Sequence, residues 1–521
     1  MARLRNLIPA WQNVLLALAS AGLLILAFPD FEYWFLAWFA LVPLMWAVER
    51  QRTSVAACFT LGWMFGTTFF FGTCWWLTYA PIHYAAMPWP LAYFLIFIVC
   101  LISGLFPAIF TTVLSVLIRR FGSWAFLAAP FVWVFTEFLR YWLTGNNWNA
   151  VGYSQAFTIS PLPLLSVGGT LLLSATVVSV SSLLILWLYK PRLLFLLSAA
   201  ILFVLFSDVD LWPPCGLCDD YIAFTPKPYT SVVMMQPNVP MSGLRPADLE
   251  RLRNRQFEMA AAAVPPTLPA NDSRIGNLII FPESPMDFMY TDDREFQNFI
   301  GDFARRNNVS VLFNSAEPDK TNGKYFNSAV MVGPDGREIG EYDKIYLLPF
   351  GEAVPPPLDR VMPGFVGSFS YGGEYDLLPV GDAKAGVMIC FESHFGQLSR
   401  EYVRNGADVI IEMTNDGYLG PTPVLRQHLA NAVFRAVETN RPVLRVTNVG
   451  ITAYITETGQ VIDPAPTYKE ATRTWSVSKS DGSQTFYVKY GDWFAWLCTI
   501  VTAVLLVLSF RRKHEPSAIS A

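Results

Sequence analysis

At residues 91–102 the chain reads LAYFLIFIVCLI, and no Asp, Glu, Lys or Arg occurs between Arg52 and Arg119. A helix needs about 20 apolar residues to cross the hydrocarbon core of a bilayer. The charge-free region therefore predicts successive membrane-spanning helices rather than a soluble core. Seven apolar stretches precede residue 210, and an eighth closes the chain. The eight stretches are 11–28, 33–48, 56–80, 91–118, 121–143, 162–189, 193–206 and 493–510.

Composition divides the chain into a membrane half and a soluble half. Apolar residues make up 53% of the 521 residues and charged residues only 15%, whereas soluble domains carry roughly 25% charge. This composition excludes a disordered chain, a coiled coil and a basic nucleic-acid binder. We predict a transmembrane helical domain over 1–207, a linker over 208–229, a catalytic domain over 230–485 and a carboxy-terminal transmembrane helix over 490–511.

Positive charges in the short loops predict the orientation of the membrane half. Because short cytoplasmic loops collect Lys and Arg, the side that holds most of them is expected to face the cytoplasm. The outer loops hold only Arg140, which places both termini in the cytoplasm and the soluble half outside it. The residues on the cytoplasmic side are Arg3, Arg5, Arg50, Arg52, Arg119, Arg120, Lys190, Arg192, Arg511, Arg512 and Lys513.

The soluble half alternates short β-rich runs with helical stretches, which predicts a layered α/β domain. The strand candidates are 231–235, 277–281, 309–314, 328–332, 386–390, 409–413, 443–447 and 453–456. The helix candidates are 246–263, 293–307, 395–405 and 423–439.

Cys390 is the cysteine whose position suggests chemistry. It ends the run GVMIC, and a helix is expected a few residues later. A strand-to-helix corner presents a side chain at the sheet edge, and a nearby helix amino-terminus favours thiolate over thiol. On position alone, a buried structural cysteine is an equal alternative. A nucleophilic cysteine needs a base, and His394 is a candidate four residues away.

Two charged residues also lie where strand ends are expected, Glu283 after an apolar run and Lys344 before one. Glu283 comes after LIIFP, and Lys344 lies in YDKIYLLPF, where its ammonium is expected to be partly buried. Each residue alone is more often a solvated or paired charge. The motifs of serine hydrolases, zinc proteases and P-loop NTPases do not occur.

Taken together, these segments resemble a known superfamily. FPE at 281–283, the segment around Lys344 and CFE at 390–392 are similar to the three catalytic segments of nitrilases. Over essentially the whole chain, the sequence also resembles the bacterial apolipoprotein N-acyltransferase family. The further residues that carry this resemblance are 152–155, 349–352, 414–416, Gln427, His428, Arg435, Glu438, Arg441, Pro442, Thr447, Asn448 and Gly450.

The resemblance implies a fold and an activity. The fold class is an α+β membrane protein, with about eight transmembrane helices and an extracytoplasmic nitrilase-like α-β-β-α sandwich. The implied reaction moves a fatty acyl chain from a phospholipid to the α-amino group of the diacylglyceryl-cysteine of an apolipoprotein. The implied partners are that phospholipid, that apolipoprotein and the bacterial inner membrane, with the catalytic domain facing the periplasm. No cofactor, metal or nucleic acid is implied, and a monomer is expected.

The resemblance also implies roles for individual residues. Cys390 would be the nucleophile that forms a thioester, and Glu283 the general base. Lys344, with a backbone N–H near Cys390, would stabilise the oxyanion. Glu352 and Glu392 would be supporting residues that orient Lys344.

Three positions depart from the family pattern. Phe391 stands where the family commonly has Tyr, and Tyr418 where Trp is frequent. Arg245 stands where the family often has Trp. Phe391 and Tyr418 are still expected to be supporting residues of the site.

Other interpretations remain open from sequence alone. A membrane-anchored amidase would use water as acceptor, and a transporter or receptor would carry a degenerate external domain. Cys215 and Cys218 form either a local disulfide or two free thiols. Glu137 and Arg140 form either a structural ion pair or an anchor for a lipid head group.

Overall fold

The computed structural model describes residues 8–158, 161–191, 228–265, 274–283, 286, 288–354, 360 and 369–510. The predicted apolar stretch 193–206 lies outside the described residues. So do Cys215, Cys218 and all but the last two residues of the predicted linker 208–229.

The amino-terminal half is helical. Its helices are α1 (Trp11–Leu26), α2 (Ala37–Ala40), α3 (Val42–Gln51), α4 (Val55–Cys74), α5 (Tyr79–His83), α6 (Trp89–Ser103), α7 (Leu105–Phe121), α8 (Ala129–Thr144) and α9 (Leu165–Tyr189). Short 3₁₀ turns lie at Trp34–Leu36, Trp75–Thr78, Gly122–Ala128, Val151–Gln155 and Leu162–Leu164.

Four helical segments among the described residues are long and apolar enough to cross a membrane. They are Val55–His83, Trp89–Thr144, Leu162–Tyr189 and Trp493–Phe510. The apolar helix α1 is shorter. The segment Trp89–Thr144 has 56 residues, far more than the roughly 20 that one crossing needs. The predicted stretch 91–118 is divided at Gly104 into α6 and α7.

Helix α9 is broken inside its apolar length. Gly169 has φ 65° and ψ −167°, which is not helical and is open to glycine because it has no Cβ. The ring of Tyr487 packs against the space that a Cβ would occupy. The backbone N–H and the hydroxyl of Thr170 both donate to Glu438 Oε1, each at 3.0 Å. A carboxylate of the soluble half therefore caps the helix that resumes after the break.

The soluble half contains two sheets and their helices, followed by the last apolar helix. Its strands are β1 (Tyr229–Gln236), β2 (Arg274–Ile280), β3 (Ser310–Asp319), β4 (Lys324–Val332), β5 (Glu338–Asp343), β6 (Phe369–Ser370), β7 (Leu377–Val380), β8 (Ala383–Ile389), β9 (Val409–Thr414), β10 (Val443–Thr447), β11 (Ala453–Ile455), β12 (Val461–Ile462) and β13 (Ala471–Val477). Its helices are α10 (Pro246–Ala263), α11 (Arg294–Asn307), α12 (Gly396–Arg404), α13 (Val424–Thr439), α14 (Phe486–Tyr490) and α15 (Trp493–Phe510).

The two sheets share a core. The first has the strand order β13-β1-β2-β3-β4-β5 with β6 beside β4, and the second has the order β12-β11-β10-β9-β8-β7. Successive side chains of a strand point to opposite faces. Met234 and Ile280 accordingly enter the hydrophobic cluster that holds the buried residues of the second sheet. Val233 and Ile279 join Phe257 of α10 in a separate cluster.

The predicted elements are confirmed. All eight strand candidates and all four helix candidates coincide with observed elements, although β8 ends at Ile389 and leaves Cys390 outside it. Sequence patterns missed β5, β6, β7, β12 and β13, which are short or rich in polar residues. Four of these five strands, β5, β7, β12 and β13, end a sheet's strand order, and β6 lies beside the path of the first sheet. Edge strands tolerate polar residues because they are less completely enclosed.

Candidate active site

Three sequence-predicted residues follow three different strands and face one another. Glu283 comes shortly after β2, Lys344 directly after β5 and Cys390 directly after β8. Glu283 Oε1 lies 3.7 Å from Lys344 Nζ, and both charges act on the Cys390 thiol. The Lys344 side chain is only 1% exposed, so the prediction that its ammonium is buried is confirmed.

Glu352 and an asparagine that the sequence analysis missed hold Lys344 and Glu283 in place. Lys344 Nζ donates to Glu352 Oε1 at 2.8 Å. The amide of Asn327, on β4, donates to Glu283 Oε1 at 3.1 Å and to Glu352 Oε1 at 2.7 Å. The backbone N–H of Lys344 donates to the Asn327 carbonyl at 2.9 Å. Asn327 therefore fixes the spacing of both carboxylates, and the only sequence signal for it is an amide within an apolar strand.

Burial and neighbouring charges set the protonation of this group. Burial raises the pKa of the Glu283 carboxyl, and the Glu352 charge adds to this, while Lys344 opposes it. Burial acts against the charged form of Lys344, but Glu352 and Glu283 outweigh it and hold the Lys344 pKa above its ordinary value. Lys344 is thus a fixed cation, and Glu283 a carboxyl that exchanges a proton more readily near neutral pH than a solvated one.

Cys390 is a thiol in the resting structure. Burial and the Glu283 charge raise its pKa well above the ordinary value, and Lys344 only partly offsets them. The expectation that a nearby helix amino-terminus favours the thiolate is therefore wrong. The physical reason is that the short 3₁₀ turn Cys390–His394 cannot offset desolvation and an adjacent carboxylate. A base must accordingly remove the thiol proton during attack.

Glu392 contacts the site through backbone N–H groups and a tyrosine hydroxyl rather than through the ammonium of Lys344. Its Oε1 accepts hydrogen bonds from the Tyr342 hydroxyl at 2.8 Å and from the N–H groups of Ile345 and Tyr346 at 2.7 and 3.0 Å. Its Oε2 accepts from the Ile389 N–H at 2.8 Å. Burial raises the Glu392 pKa to about 7, opposed by Lys344. Glu392 thus ties the end of β8 to the segment that follows Lys344.

His394 does not face Cys390 as a partner base. Its Nε2 accepts the backbone N–H of Asn147, in the membrane half, at 2.8 Å. Burial and then the charge of Arg435 lower the His394 pKa well below its ordinary value, so the ring is neutral. Phe391 stacks on this ring, with 5.7 Å between ring centroids. The sequence hypothesis that His394 serves Cys390 is therefore corrected: it holds the loop after α8.

Tyr418 and Arg245 lie at the surface. Tyr418 is 50% exposed. Its ring forms a T-shaped contact with that of Tyr84, from the membrane half, with 5.8 Å between the ring centroids. Arg245 precedes α10 and forms an ion pair with Asp248 at 2.9 Å, with 80% of its side chain exposed. Neither contact involves Lys344, Glu283 or Cys390.

A cluster of buried charged residues lies next to the carbonyl group of Cys390. The sequence pointed to two of its members, Asp416 and His428, only through the resemblance to the family. His428, on α13, lies with Nδ1 2.7 Å from Asp416 Oδ1 and Nε2 3.0 Å from the Cys390 carbonyl oxygen. Arg445, on β10, lies 2.5 Å from Glu412 and 2.7 Å from Asp416. All four charged side chains are at most 4% exposed.

A cavity of 420 Å³ opens between neighbours of the predicted catalytic residues and the apolar helices. Ile345 and Phe391, neighbours of Lys344 and Cys390, line one side. Tyr141 and Trp142 of α8 and Trp496 of α15 line the other. The cavity is mainly aromatic and apolar, which suits the hydrocarbon part of a lipid.

Helix α13 joins the soluble half to the membrane half. Gln427 accepts from the indole N–H groups of Trp76 and Trp148 at 3.1 and 2.9 Å. Arg435 forms an ion pair with Glu438 at 2.8 Å and donates to the carbonyl of His394 at 2.9 Å. The same helix therefore contacts both the membrane half and the turn that begins at Cys390.

Glu137 and Arg140 each hold the loop between α8 and α9. Glu137 accepts from the indole of Trp133 and from the N–H of Val151, both at 2.8 Å. Arg140 donates to the carbonyl of Trp148 at 2.8 Å. Both side chains therefore have a structural role in this loop, and the head-group anchor stays a prediction. Within the described part of the chain, no group of three or more His, Cys, Asp or Glu residues could hold a metal ion.

Comparison with known proteins adds independent information. Residues 20–183 match the apolipoprotein N-acyltransferase N-terminal domain, and residues 269–485 match carbon-nitrogen hydrolase. The apolipoprotein N-acyltransferase of Geobacter metallireducens is 31% identical, over 96% of this chain and 96% of that protein. That of Thermotoga maritima is 28% identical, over 97% and 96%. The solved structure of Saccharomyces cerevisiae Nit3, of the nitrilase superfamily, is 18% identical, with a TM-score of 0.36, over 48% of this chain and 90% of that chain.

The fold and the matched regions define a class: a membrane protein with several apolar helices at its amino-terminus and a nitrilase-like α/β domain in its carboxy-terminal region. Within that class, the relative from Geobacter metallireducens matches nearly the full length of both chains. The chain belongs to the apolipoprotein N-acyltransferase family.

Proposed function

We propose that this protein transfers a fatty acyl chain from a phospholipid to the α-amino group of the amino-terminal diacylglyceryl-cysteine of an apolipoprotein. The observation that carries the proposal is the meeting of Glu283, Lys344 and Cys390 beside an apolar cavity that membrane helices help to form. Both substrates keep acyl chains in the bilayer, so a site at this boundary suits them. Hydrolysis of an amide by water, the alternative, leaves the apolar cavity unused.

The first half-reaction forms a thioester on Cys390. The sulfur attacks the carbonyl carbon of the phospholipid ester while Glu283 accepts the thiol proton. The oxyanion that develops faces Lys344, whose charge is fixed by Glu352 and Glu283. Glu283 then returns the proton to the departing lysophospholipid oxygen, and the acyl chain stays on sulfur.

The second half-reaction transfers the acyl chain to nitrogen. The neutral amine of the acceptor attacks the thioester, and Glu283 accepts the proton that the nitrogen loses. Lys344 stabilises the second oxyanion as it did the first. Collapse of this intermediate breaks the carbon–sulfur bond, and Cys390 recovers its proton from Glu283. The apolar walls of the cavity keep water from the thioester, which favours the amine as acceptor.

Mass measurement of a peptide acceptor tests the proposed function. Purified protein in detergent is given phospholipid and a diacylated peptide, and the peptide is expected to gain the mass of one acyl chain. Release of free fatty acid with no change in peptide mass would favour a hydrolase instead.

We also propose a finer architecture. The two sheets, with α10 and α11 on one and α12 and α13 on the other, form an α-β-β-α sandwich. Eight apolar stretches cross the inner membrane, and the domain boundaries are those expected from composition. The catalytic domain faces the periplasm, the protein is a monomer, and Glu352, Glu392, Phe391 and Tyr418 support the site. The alternation of positive loops and the contacts between α13 and the membrane half support this arrangement.

The orientation predicts opposite labelling of two single-cysteine reporters, in a background without other reactive thiols. Asp335, in an exposed turn of the catalytic domain, and Arg52, in a positive loop, have side chains 60% and 47% exposed. An impermeant thiol reagent added to intact spheroplasts is expected to label Asp335→Cys and not Arg52→Cys. Disrupting the membrane should expose both reporters. Equal labelling of both in intact cells would contradict the orientation.

Glu352→Gln is expected to move the acidic limb of the pH–rate profile to lower pH. The Glu352 charge raises the pKa of Glu283, so its removal lowers that pKa. Because the base must be ionised, activity then persists to a lower pH than in the wild type. The acylation rate at neutral pH should fall by ~10-fold, since Lys344 loses its closer partner. The measurement is the rate of Cys390 acylation from pH 4 to pH 8, and a limb that stays in place would contradict the assignment of Glu283.

A further inference from the structure

The backbone of Cys390 is held in an uncommon conformation. Its φ is 54°, in the left-handed region that residues with a Cβ rarely adopt. Such a conformation persists where neighbouring groups fix it. The Cys390 carbonyl oxygen accepts from Ser393 Oγ at 3.3 Å and lies 3.0 Å from His428 Nε2. Ser393 belongs to the same turn, whereas His428 comes from α13 and anchors this carbonyl to the domain.

Both ring nitrogens of His428 face hydrogen-bond acceptors. Nδ1 lies 2.7 Å from Asp416 Oδ1. Nε2 lies 3.0 Å from the Cys390 carbonyl oxygen and 3.2 Å from Glu412 Oε1. A neutral imidazole carries one N–H and would turn the lone pair of its other nitrogen toward one of these acceptors. Only the doubly protonated ring donates on both sides.

The charges of the residues around His428 also favour a doubly protonated ring. Glu412 comes from β9, Asp416 from the turn after it and Arg445 from β10. Burial alone would raise the Asp416 pKa, but Arg445 and His428 outweigh it and hold that pKa at about 2. Two carboxylates and one guanidinium leave one negative charge, which an imidazolium balances in this buried place.

The remaining neighbours of His428 add no charge. The ring of Trp148, from the membrane half, lies 6.0 Å from the His428 ring. His394 interacts with it electrostatically, but its own pKa is lowered by burial, so it is neutral. Cys390 is a protonated thiol, since burial raises its pKa.

We propose that His428 is a doubly protonated positioning residue that holds the Cys390 carbonyl and thereby aims the Phe391 N–H at the reaction's oxyanion. In a trans peptide the C=O and the following N–H point in opposite directions. Because His428 anchors the Cys390 carbonyl oxygen on the side of the buried charge cluster, the Phe391 N–H points away from that cluster. The inference rests on the proposed function, because it names the residue that positions the backbone oxyanion donor expected for the same two half-reactions.

The first test compares the same substitution at two buried histidines. His428→Gln removes the charge and one donor, and is expected to lower kcat for phospholipid acylation of Cys390 by ~10–100-fold. The phospholipid KM should stay within about twofold, because the lost interaction belongs to the transition state. The matched control His394→Gln removes the other imidazole of this region, and its kcat should stay within about threefold of the wild type. A raised KM at unchanged kcat in His428→Gln, or equal losses in both variants, would overturn the proposal.

A second variant keeps the proposal testable if His428→Gln does not fold. Asp416→Asn preserves an acceptor for Nδ1–H, and Asn tolerates the left-handed backbone of this position, φ 55°. It removes the carboxylate charge that pairs with the ring, so the ring holds the Cys390 carbonyl less firmly. The kcat for acylation of Cys390 is expected to fall by ~10-fold while the phospholipid KM stays within about twofold. A wild-type kcat in Asp416→Asn would overturn the proposal.

The wild-type protein in the same assay separates this inference from the proposed function. If wild type forms no adduct on Cys390, the proposed function itself fails. If wild type forms the adduct and neither His428→Gln nor Asp416→Asn alters its rate, only the role of His428 fails.

Discussion

Protein incubated with phospholipid alone is expected to gain the mass of one acyl chain and then to stop. The amine acceptor is absent, and the apolar cavity beside Phe391 keeps water from attacking the thioester. The adduct should lie on Cys390, because this thiol interacts electrostatically with both Glu283 and Lys344. Neutral hydroxylamine should remove the acyl chain, as should a diacylated peptide, which then becomes triacylated. Intact-protein and peptide mass spectrometry measure each step.

Substitution of the nucleophile should have the largest effect. Cys390→Ser is expected to lower acylation by at least ~1,000-fold, as the loss of a nucleophile does in other enzymes. A serine hydroxyl is much harder to deprotonate than a thiol, and Glu283 is a weak base for it. The control is Cys100→Ser, since Cys100 is a buried thiol of α6, and it should retain activity. Full turnover with no adduct on Cys390 under trapping conditions would replace the two-step scheme with direct transfer.

Loss of the buried cation should be nearly as severe. Lys344→Met keeps the length of the side chain and removes its charge, so the oxyanion loses its charged donor and Glu283 and Glu352 face each other without a cation. We expect a rate loss of at least ~100-fold. The pKa of Glu283 should also rise, because Lys344 lowers it. The acidic limb of the pH–rate profile, measured on the residual activity, should therefore move to higher pH.

The control for Lys344→Met is Lys384→Met on β8, whose side chain is exposed. It should acylate at the wild-type rate. Glu283→Gln should also lose at least ~100-fold, because Gln accepts no proton. Near wild-type turnover in Lys344→Met or Glu283→Gln would remove that residue from the mechanism.

The apolar runs of the sequence were sufficient to predict the strand-end positions of Glu283 and Cys390, and strand ends of layered α/β domains are common positions for functional side chains. Lys344 follows β5, whose polar sequence gave no strand signal, so the family resemblance was needed to connect it with the other two. The positions of the central strands were predictable for the same reason, since buried strands leave strong apolar runs. The mechanism itself stays a prediction until the adduct is measured.

The rest of the site depends on contacts between distant segments. Asn327 lies on a strand whose pattern signals only a core, and its amide meets Glu283, which follows β2, and Glu352, from the loop after β5. The hypothesis that His394 is a base for Cys390 was wrong, because proximity in the chain does not decide which way a side chain points. The raised pKa of Cys390 is the sum of burial and several charges, which a local helix-end argument does not include.

The cap that Glu438 provides at Thr170 bears on how the protein is made. A backbone N–H at a break in a membrane helix has no water to bond to, so it must find a partner within the protein. Here that partner, Glu438, arrives only when the carboxy-terminal domain has folded. The amino-terminal helices should therefore remain incompletely assembled, and open to quality-control proteolysis, until translation of the later segment is finished. Biogenesis of this protein is then a single event that completes late, rather than the independent maturation of an anchor and an enzyme.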